Sequence, residues 1–422
     1  MPGPLVIFED HRFADLYPMT LTRPVFDLVC GIQTLGQKLG IDLAKARAGG
    51  LSGSPLGLHA RQYLAAADRP FVTSYAALFR DSELITLVNG RLISCESILA
   101  RLDPARPGKY VCGSTVVAAT VSRAFAERLD KLAGLPLDDG VFRDLPSTEV
   151  DACVINYPWD LVNSNGTEIA HDFARLGGGR IGLTPPPGVH LVNDGAMRIA
   201  RDASLAPGVV IDASRGPVNI ESGVVIMANA SLQGPLHIGA GTVVKMGARL
   251  YGDTSIGPVC RVGGEVAESI IQGYSNKQHD GFLGHSYVGE WVNLGAGTNT
   301  SDLKNNYSTV RVPIGGKLVD SGGLFAGLYI GDHAKSGIGT TFNTGSVVGV
   351  SSNIYGADYP TKYIPSFVWG GGSEFAEHRL AAALETAKRV MERRGKTFGA
   401  RERSVFASVY ELTRRERASF LA

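Results

Sequence analysis

From residue 220 the chain places an aliphatic side chain at every sixth position: Ile220, Ile226, Leu232, Ile238, Val244, Leu250, Ile256 and Val262. Two positions before each stands Val218, Val224, Ala230, Leu236, Thr242, Ala248, Thr254 or Cys260. Most of these are small or β-branched, as a tightly wound interior requires. A second run of the same period passes through Val288, Leu294, Thr300, Asn306, Val312, Leu318, Leu324, Ile330, Ser336, Phe342, Val348 and Ile354, apolar at nine of its twelve positions. Six does not fit the roughly 3.6 residues of a helical turn. It is the spacing of short strands that turn three corners per coil, so the pattern predicts a parallel β-helix of hexapeptide repeats with about seven turns. Val262 and Val288 lie 26 residues apart, four sixes and two, and the change of phase predicts an insertion that interrupts the coil.

The first 190 residues follow another rule. Strand candidates Leu5–Phe8, Leu84–Val88 and Val150–Ile155 alternate with helical stretches at Ser97–Leu102 and Val121–Ala133, which predicts an α/β, Rossmann-like layer fold. Turn residues make Leu176–Gly188 a linker. Beyond Gly370–Gly372, the segment Glu374–Glu392 sets Phe375, Leu380, Ala383, Leu384, Ala387 and Val390 on one helical face, and Arg401–Phe420 is a second helix candidate. The expected organisation is an α/β domain at 1–190, a β-helix at 191–370 and a helical tail at 371–422.

Composition narrows the function classes. The net charge of +1 provides no global field to draw nucleic acid or an anionic membrane. Five scattered cysteines, without paired spacing, suit a reducing compartment. No segment reaches the about 18 apolar residues of a membrane span, and a soluble cytoplasmic protein is expected. Many of the 53 glycines fall in hexad corners, among them Gly239, Gly257, Gly289, Gly295, Gly331 and Gly349, each directly after an inward aliphatic.

The blocks NKQHDGFLGH (276–285) and NLGAGTNTSDLK (293–304) carry a resemblance to a known family. The chain resembles the GlmU family of bifunctional N-acetylglucosamine-1-phosphate uridylyltransferases and glucosamine-1-phosphate acetyltransferases, and in particular GlmU-related sugar nucleotidyltransferases. The resemblance implies a left-handed β-helix, acyl-CoA as co-substrate (acetyl-CoA in the family), and a homotrimer whose acyl-CoA groove lies between subunits. Counting back from Asn293, His279 falls on the family's catalytic histidine, the general base for attack of a sugar amine on the thioester. An imidazole, which changes charge near neutrality, suits that step. His285 is the second candidate. The resemblance further implies that Asn293 binds sugar phosphate, that Ala296 contacts acetyl-CoA through its backbone, and that the amides of Gly295–Gly297 stabilise the oxyanion. Asp302 replaces a binding Asn, Lys304 pairs with phosphate if the following loop shifts, Phe282 replaces a Tyr, and Ala267 replaces a Lys.

The stretch Leu5–Pro24 resembles the start of sugar-phosphate nucleotidyltransferases, but the glycine-rich triphosphate loop is missing. Glu9, Asp10 and Asp15 stand there instead, and a carboxylate-rich loop repels a triphosphate unless cations intervene. Arg91 occupies the position of an Mg2+-binding Asp. Two readings are open: Arg12, Arg23 and Arg91 bind phosphate without the usual metal, or the domain is a retired nucleotidyltransferase kept for binding or structure. At Tyr157–Leu161 with Asn163, Trp159 reads as a core aromatic and Asp160 as a helix cap, or else Asp160 or Asn163 faces the sugar nucleotide. The leading expectation is an acyl-CoA-dependent N-acyltransferase acting on an amino sugar phosphate. The competing one is a non-catalytic trimeric scaffold that binds a sugar nucleotide.

Overall fold

The computed structural model describes residues 4–48, 56–66, 69–79, 83–103, 105–356, 358–372 and 374–422. Two compact units emerge: Met1–Leu16, Arg23–Leu28 and Gln33–Asn156 form the first, and Tyr17–Thr22, Val29–Ile32 and Tyr157–Ala422 the second. The division falls at Asn156, well before the expected boundary at 190.

The first unit is built on a six-stranded mixed sheet in the order Leu56–His59, Leu5–Phe8, Leu84–Asn89, Thr115–Ser122, Gly108–Cys112, Ser147–Glu149. Leu5–Phe8 is buried at all four positions because it lies between two parallel neighbours, where both faces of a strand must be apolar. Helices Glu96–Leu99 and Arg123–Asp130 fall inside or beside the two expected helical stretches. The expected strand Val150–Ile155 is not one. Ile155 N–H donates to the Arg91 carbonyl and Ile93 N–H to that of Cys153, and these two bonds leave a single bridge, Leu92 to Val154, rather than a ladder.

In the second unit, helix Pro158–Arg175 leads into a three-sided parallel coil whose longest face has ten strands, from Arg180–Ile181 to Tyr363–Ile364. One interior column on that face runs in register through Ile220, Ile238, Ile256, Ile271, Val288, Ile330, Val348 and Ile364, each at most 2% exposed. Each such aliphatic contributes roughly 1.5–3 kcal/mol by leaving water, so the column holds the rungs together. The hexad pattern is thus the interior of the coil, with three corrections to its count. The coil has more than the expected seven turns, because it begins at Arg180, inside the stretch read as a linker. Ile199, Leu205 and Ile211 are hexads too, but the nine-residue step from Ile211 to Ile220 puts them out of phase with the run that begins at Ile220.

The second correction concerns the phase change after Val262. Nothing is inserted there. The interior passes through Val266, Ile271, Lys277 and Leu283 to Val288, and three of these five steps are shorter than six residues. The third concerns Asn306, Leu318 and Leu324, which are exposed. The chain leaves the coil after Thr300 and forms the antiparallel hairpin Arg311–Ile314 with Lys317–Asp320, which places Val312 in the hairpin, and it re-enters at Leu328–Ile330. The excursion hid itself because Thr300 and Ile330 remain a multiple of six apart.

The tail starts as a strand, Glu374–Glu377, antiparallel to Val368–Gly371, so Phe375 is not on the expected helical face. Helices Leu380–Glu392, Ala400–Leu412 and Arg414–Leu421 follow. Phe406 anchors them edge-on to Phe367 and His333 of the coil at ring distances of 5.9 and 5.0 Å.

Candidate active site

The candidate residues of the coil fall on the rung Asn276–Glu290 and the rung above it. Lys277 occupies an interior position between aliphatic neighbours, in register with Val262 and only 3% exposed. A lysine survives there because its Nζ reaches the corner and donates to the carbonyls of Gly263 at 3.0 Å and His279 at 2.6 Å. Burial pushes its pKa down to about 8. From above, Gly297 N–H donates to the Asp280 carbonyl at 3.0 Å. The corner 279–280 is therefore fixed through its backbone while the side chain of His279 is exposed to solvent, with no ion pair among the described residues. Phe282 follows on the next strand, half-buried, its N–H donating to Asn299 Oδ1 at 2.8 Å.

His285 differs from His279 in every respect. It is 17% exposed, sits at φ 43° and stacks on Phe325 at 4.7 Å. Its Nδ1 lies 2.8 Å from Asp302 Oδ2 and its Nε2 contacts the Glu268 carboxylate. Burial alone lowers an imidazole pKa, but hydrogen bonds to Asp302 and Glu268 overcome it and carry the value up to about 9. His285 is then an imidazolium at neutral pH, a clamp on the base of the hairpin and a poor acceptor for a proton. Asp302, expected at the substrate, is taken up by this clamp. Lys304, expected on a phosphate, donates to the Thr309 carbonyl and to Ser308 Oγ and closes its own loop.

Of the three amides expected to bind an oxyanion, two are committed to the coil. Gly295 N–H donates to Ser336 and Gly297 N–H to Asp280. Only the Ala296 N–H has no acceptor among the described residues. Position 295 must be glycine, since a Cβ there would lie 2.4 Å from the Gly337 carbonyl oxygen. Asn293 lies on the neighbouring face, its Oδ1 accepting from Asn276 Nδ2 at 3.2 Å, and shares a cavity of about 400 Å3 with Gln278, the residue before His279. Arg261, Lys335, Arg393 and Arg394 line the same cavity. None of these four was expected at the site, although Arg261 and Lys335 share one sequence signal with Asn276 and Asn293: each directly precedes an inward position of the same coil face.

In the first unit the expected phosphate ligands are elsewhere engaged. Arg91 is 0% exposed, with Nε and Nη2 on Asp10 at 2.6–3.0 Å and Nη1 on the Ile155 carbonyl and Asn156 Oδ1. A guanidinium so committed is not open to a phosphate, which corrects its expected role. Glu9, also 0% exposed, is gripped by Arg61 and accepts from Val25 N–H. Arg23 is 7% exposed and Arg12 pairs with Asp15 at 2.9 Å. Carboxylates held by guanidinium groups are not a donor set for Mg2+, and no cluster of three metal-ligating side chains occurs among the described residues. Asp160 accepts from Tyr157 N–H at 3.0 Å, and Trp159 is buried against Tyr157, which is the cap and core arrangement; Asn163 is exposed.

Residues 5–181 match the family model of sugar nucleotidyl transferases. A bifunctional sugar-1-phosphate nucleotidylyltransferase/acetyltransferase of Sulfurisphaera tokodaii is 37% identical over 91 residues, 22% of this chain and 23% of the relative. The bifunctional protein GlmU of a Synechococcus species is 30% identical over 159 residues, 37% of this chain and 33% of the relative. The chain thus spans a third or less of the length of these curated relatives. The solved structure of Arabidopsis UDP-N-acetylglucosamine acyltransferase superposes with a TM-score of 0.30 at 14% identity, covering 56% of this chain and 92% of that one.

Proposed function

From a chain that joins a segment of the sugar nucleotidyl transferase family to a hexapeptide coil, we propose an acyl-CoA-dependent N-acyltransferase acting on an amino sugar phosphate. The observation that carries the reading is the corner at His279, an exposed imidazole on a backbone fixed from both sides, with the Ala296 N–H of the next rung lacking an acceptor among the described residues. In the proposed reaction the sugar amine attacks the thioester carbonyl. The C–N bond forms, His279 takes the ammonium proton, and the Ala296 N–H receives the developing oxyanion. Collapse breaks the C–S bond, and the coenzyme leaves as a thiol after the proton passes on. Phe282 gives an apolar wall beside the corner. Acetyl-CoA is the expected donor and a homotrimer the expected assembly, with neighbouring coils completing the groove.

The N-terminal unit is proposed to have lost nucleotidyl transfer and to serve in binding or structure. The pairs Glu9–Arg61 and Asp10–Arg91 support this, since they fill the end of the first strand where a triphosphate loop would open. No helix among the described residues is long and apolar enough to cross a membrane. Incubation with acetyl-CoA and glucosamine 1-phosphate, with product mass measured, tests the transfer. Acetylated sugar is expected, and no acetylation of any amino sugar would leave the scaffold reading in its place.

A further inference from the structure

Arg261, Asn276, Asn293 and Lys335 form an outward ladder on successive rungs of one coil face, a strand spacing of about 4.8 Å apart. The end of tail helix Leu380–Glu392 brings Arg393 and Arg394 over it, with Arg394 donating to Asn276 Oδ1 at 2.8 Å. The cavity of about 400 Å3, open on one side to solvent, has four cationic side chains and no carboxylate in its lining. None of the four takes part in an ion pair among the described residues. Arg261 reaches only backbone carbonyls, and Lys335 donates to the His333 carbonyl. Four like charges gathered without a counter-ion repel one another, an arrangement that costs stability until an anion enters. Burial already pushes Lys335 down to about 8, and burial together with Arg261 and Arg393 lowers Arg394. One wall is the stacked pair Tyr274 and Trp291, at 4.3 Å.

We propose that this cavity is a binding site for a phosphate-bearing anion, held by Arg261 and Lys335 of the coil and closed in the same chain by Arg393 and Arg394 of the tail. Asparagines 276 and 293 supply neutral hydrogen bonds that orient it. Two ligands of the proposed reaction carry that chemistry, the phosphates of a coenzyme A nucleotide and the phosphate of an amino sugar. The choice between them rests on the acyl-transfer reading, whereas the existence of the site does not.

Calorimetric titration of the full-length protein at low ionic strength with adenosine 3′,5′-bisphosphate, glucosamine 1-phosphate and inorganic pyrophosphate tests the site. Saturable binding of the nucleotide or of the sugar phosphate is expected, and the probe that binds identifies the source. Lys335→Met and Arg394→Gln should each weaken it about tenfold, as loss of a charged hydrogen bond predicts. Arg393→Gln tests the closure from the tail surface, and Arg201→Gln, exposed on the coil away from the ladder, should bind as wild type. Unfolding midpoints no lower than that of wild type, as relief of the repulsion predicts, show that the variants fold. Failure of every probe, binding of pyrophosphate alone, or equal affinities across all variants would overturn the proposal. His279→Ala should lose transfer and keep binding, so failure of the catalytic reading shows separately.

Discussion

Replacing Arg91 by alanine removes all the guanidinium contacts of Asp10, a carboxylate only 1% exposed. The Asn89 amide at 2.8 Å would be its remaining side-chain donor. A buried pair is worth little against a matched apolar pair, but a buried charge left alone costs about 3–5 kcal/mol. At roughly 2–4 °C per kcal/mol for a unit of this size, the midpoint of the transition that includes the N-terminal sheet should fall by about 6–20 °C. Differential scanning calorimetry and far-ultraviolet circular dichroism of the full-length protein measure this. The double variant Asp10→Leu with Arg91→Met should recover most of the loss, because it removes both charges and keeps the volume. An Arg91→Ala protein that melts with wild type would refute the argument and return Arg91 to the role of an accessible phosphate ligand.

Two further outcomes are expected of the coil. The pKa of His285 is raised from 6.5 to about 9, so its contribution is fully present below the unfolded value and is lost as pH rises through about 9. Proteolysis in the 303–325 excursion should accordingly increase above pH 9 in wild type, and His285→Gln should be cut equally at pH 7 and pH 10; a wild-type hairpin insensitive to pH would contradict the clamp. Lys277→Met keeps the interior stack while freeing the carbonyls of Gly263 and His279, so kcat should fall about tenfold with the unfolding midpoint little changed. A purely structural lysine would instead lower the midpoint and leave kcat alone.

The residues Ile220 to Val262 announced the coil because an interior only one side chain wide admits an aliphatic at a fixed step and little else. The same periodicity misled where arithmetic and geometry part company. Shortened steps between Val262 and Val288 imitate an insertion, and an excursion that preserves the multiple of six imitates coil. His279 is a candidate through the blocks that flank it in sequence. The role of His285 depends on Glu268 and Asp302, which meet it only because successive turns stack their corners. Arg91 read as a phosphate ligand since sequence shows its charge and not the carboxylate that neutralises it. Arg393 and Arg394 were out of reach altogether, being remote in sequence from the ladder they cover.

The proposed mechanism requires His279, and not His285, to be the base of the acyl transfer. The measurement is the rate of acetyl transfer from acetyl-CoA to glucosamine 1-phosphate by wild type, His279→Ala and His285→Gln, followed by thiol release and product mass. A loss of about 10²–10⁴-fold is expected for His279→Ala and a smaller one for His285→Gln, whose defect should track the docking of the hairpin. A wild-type rate in His279→Ala, or no product from wild type with any amino sugar, would contradict it.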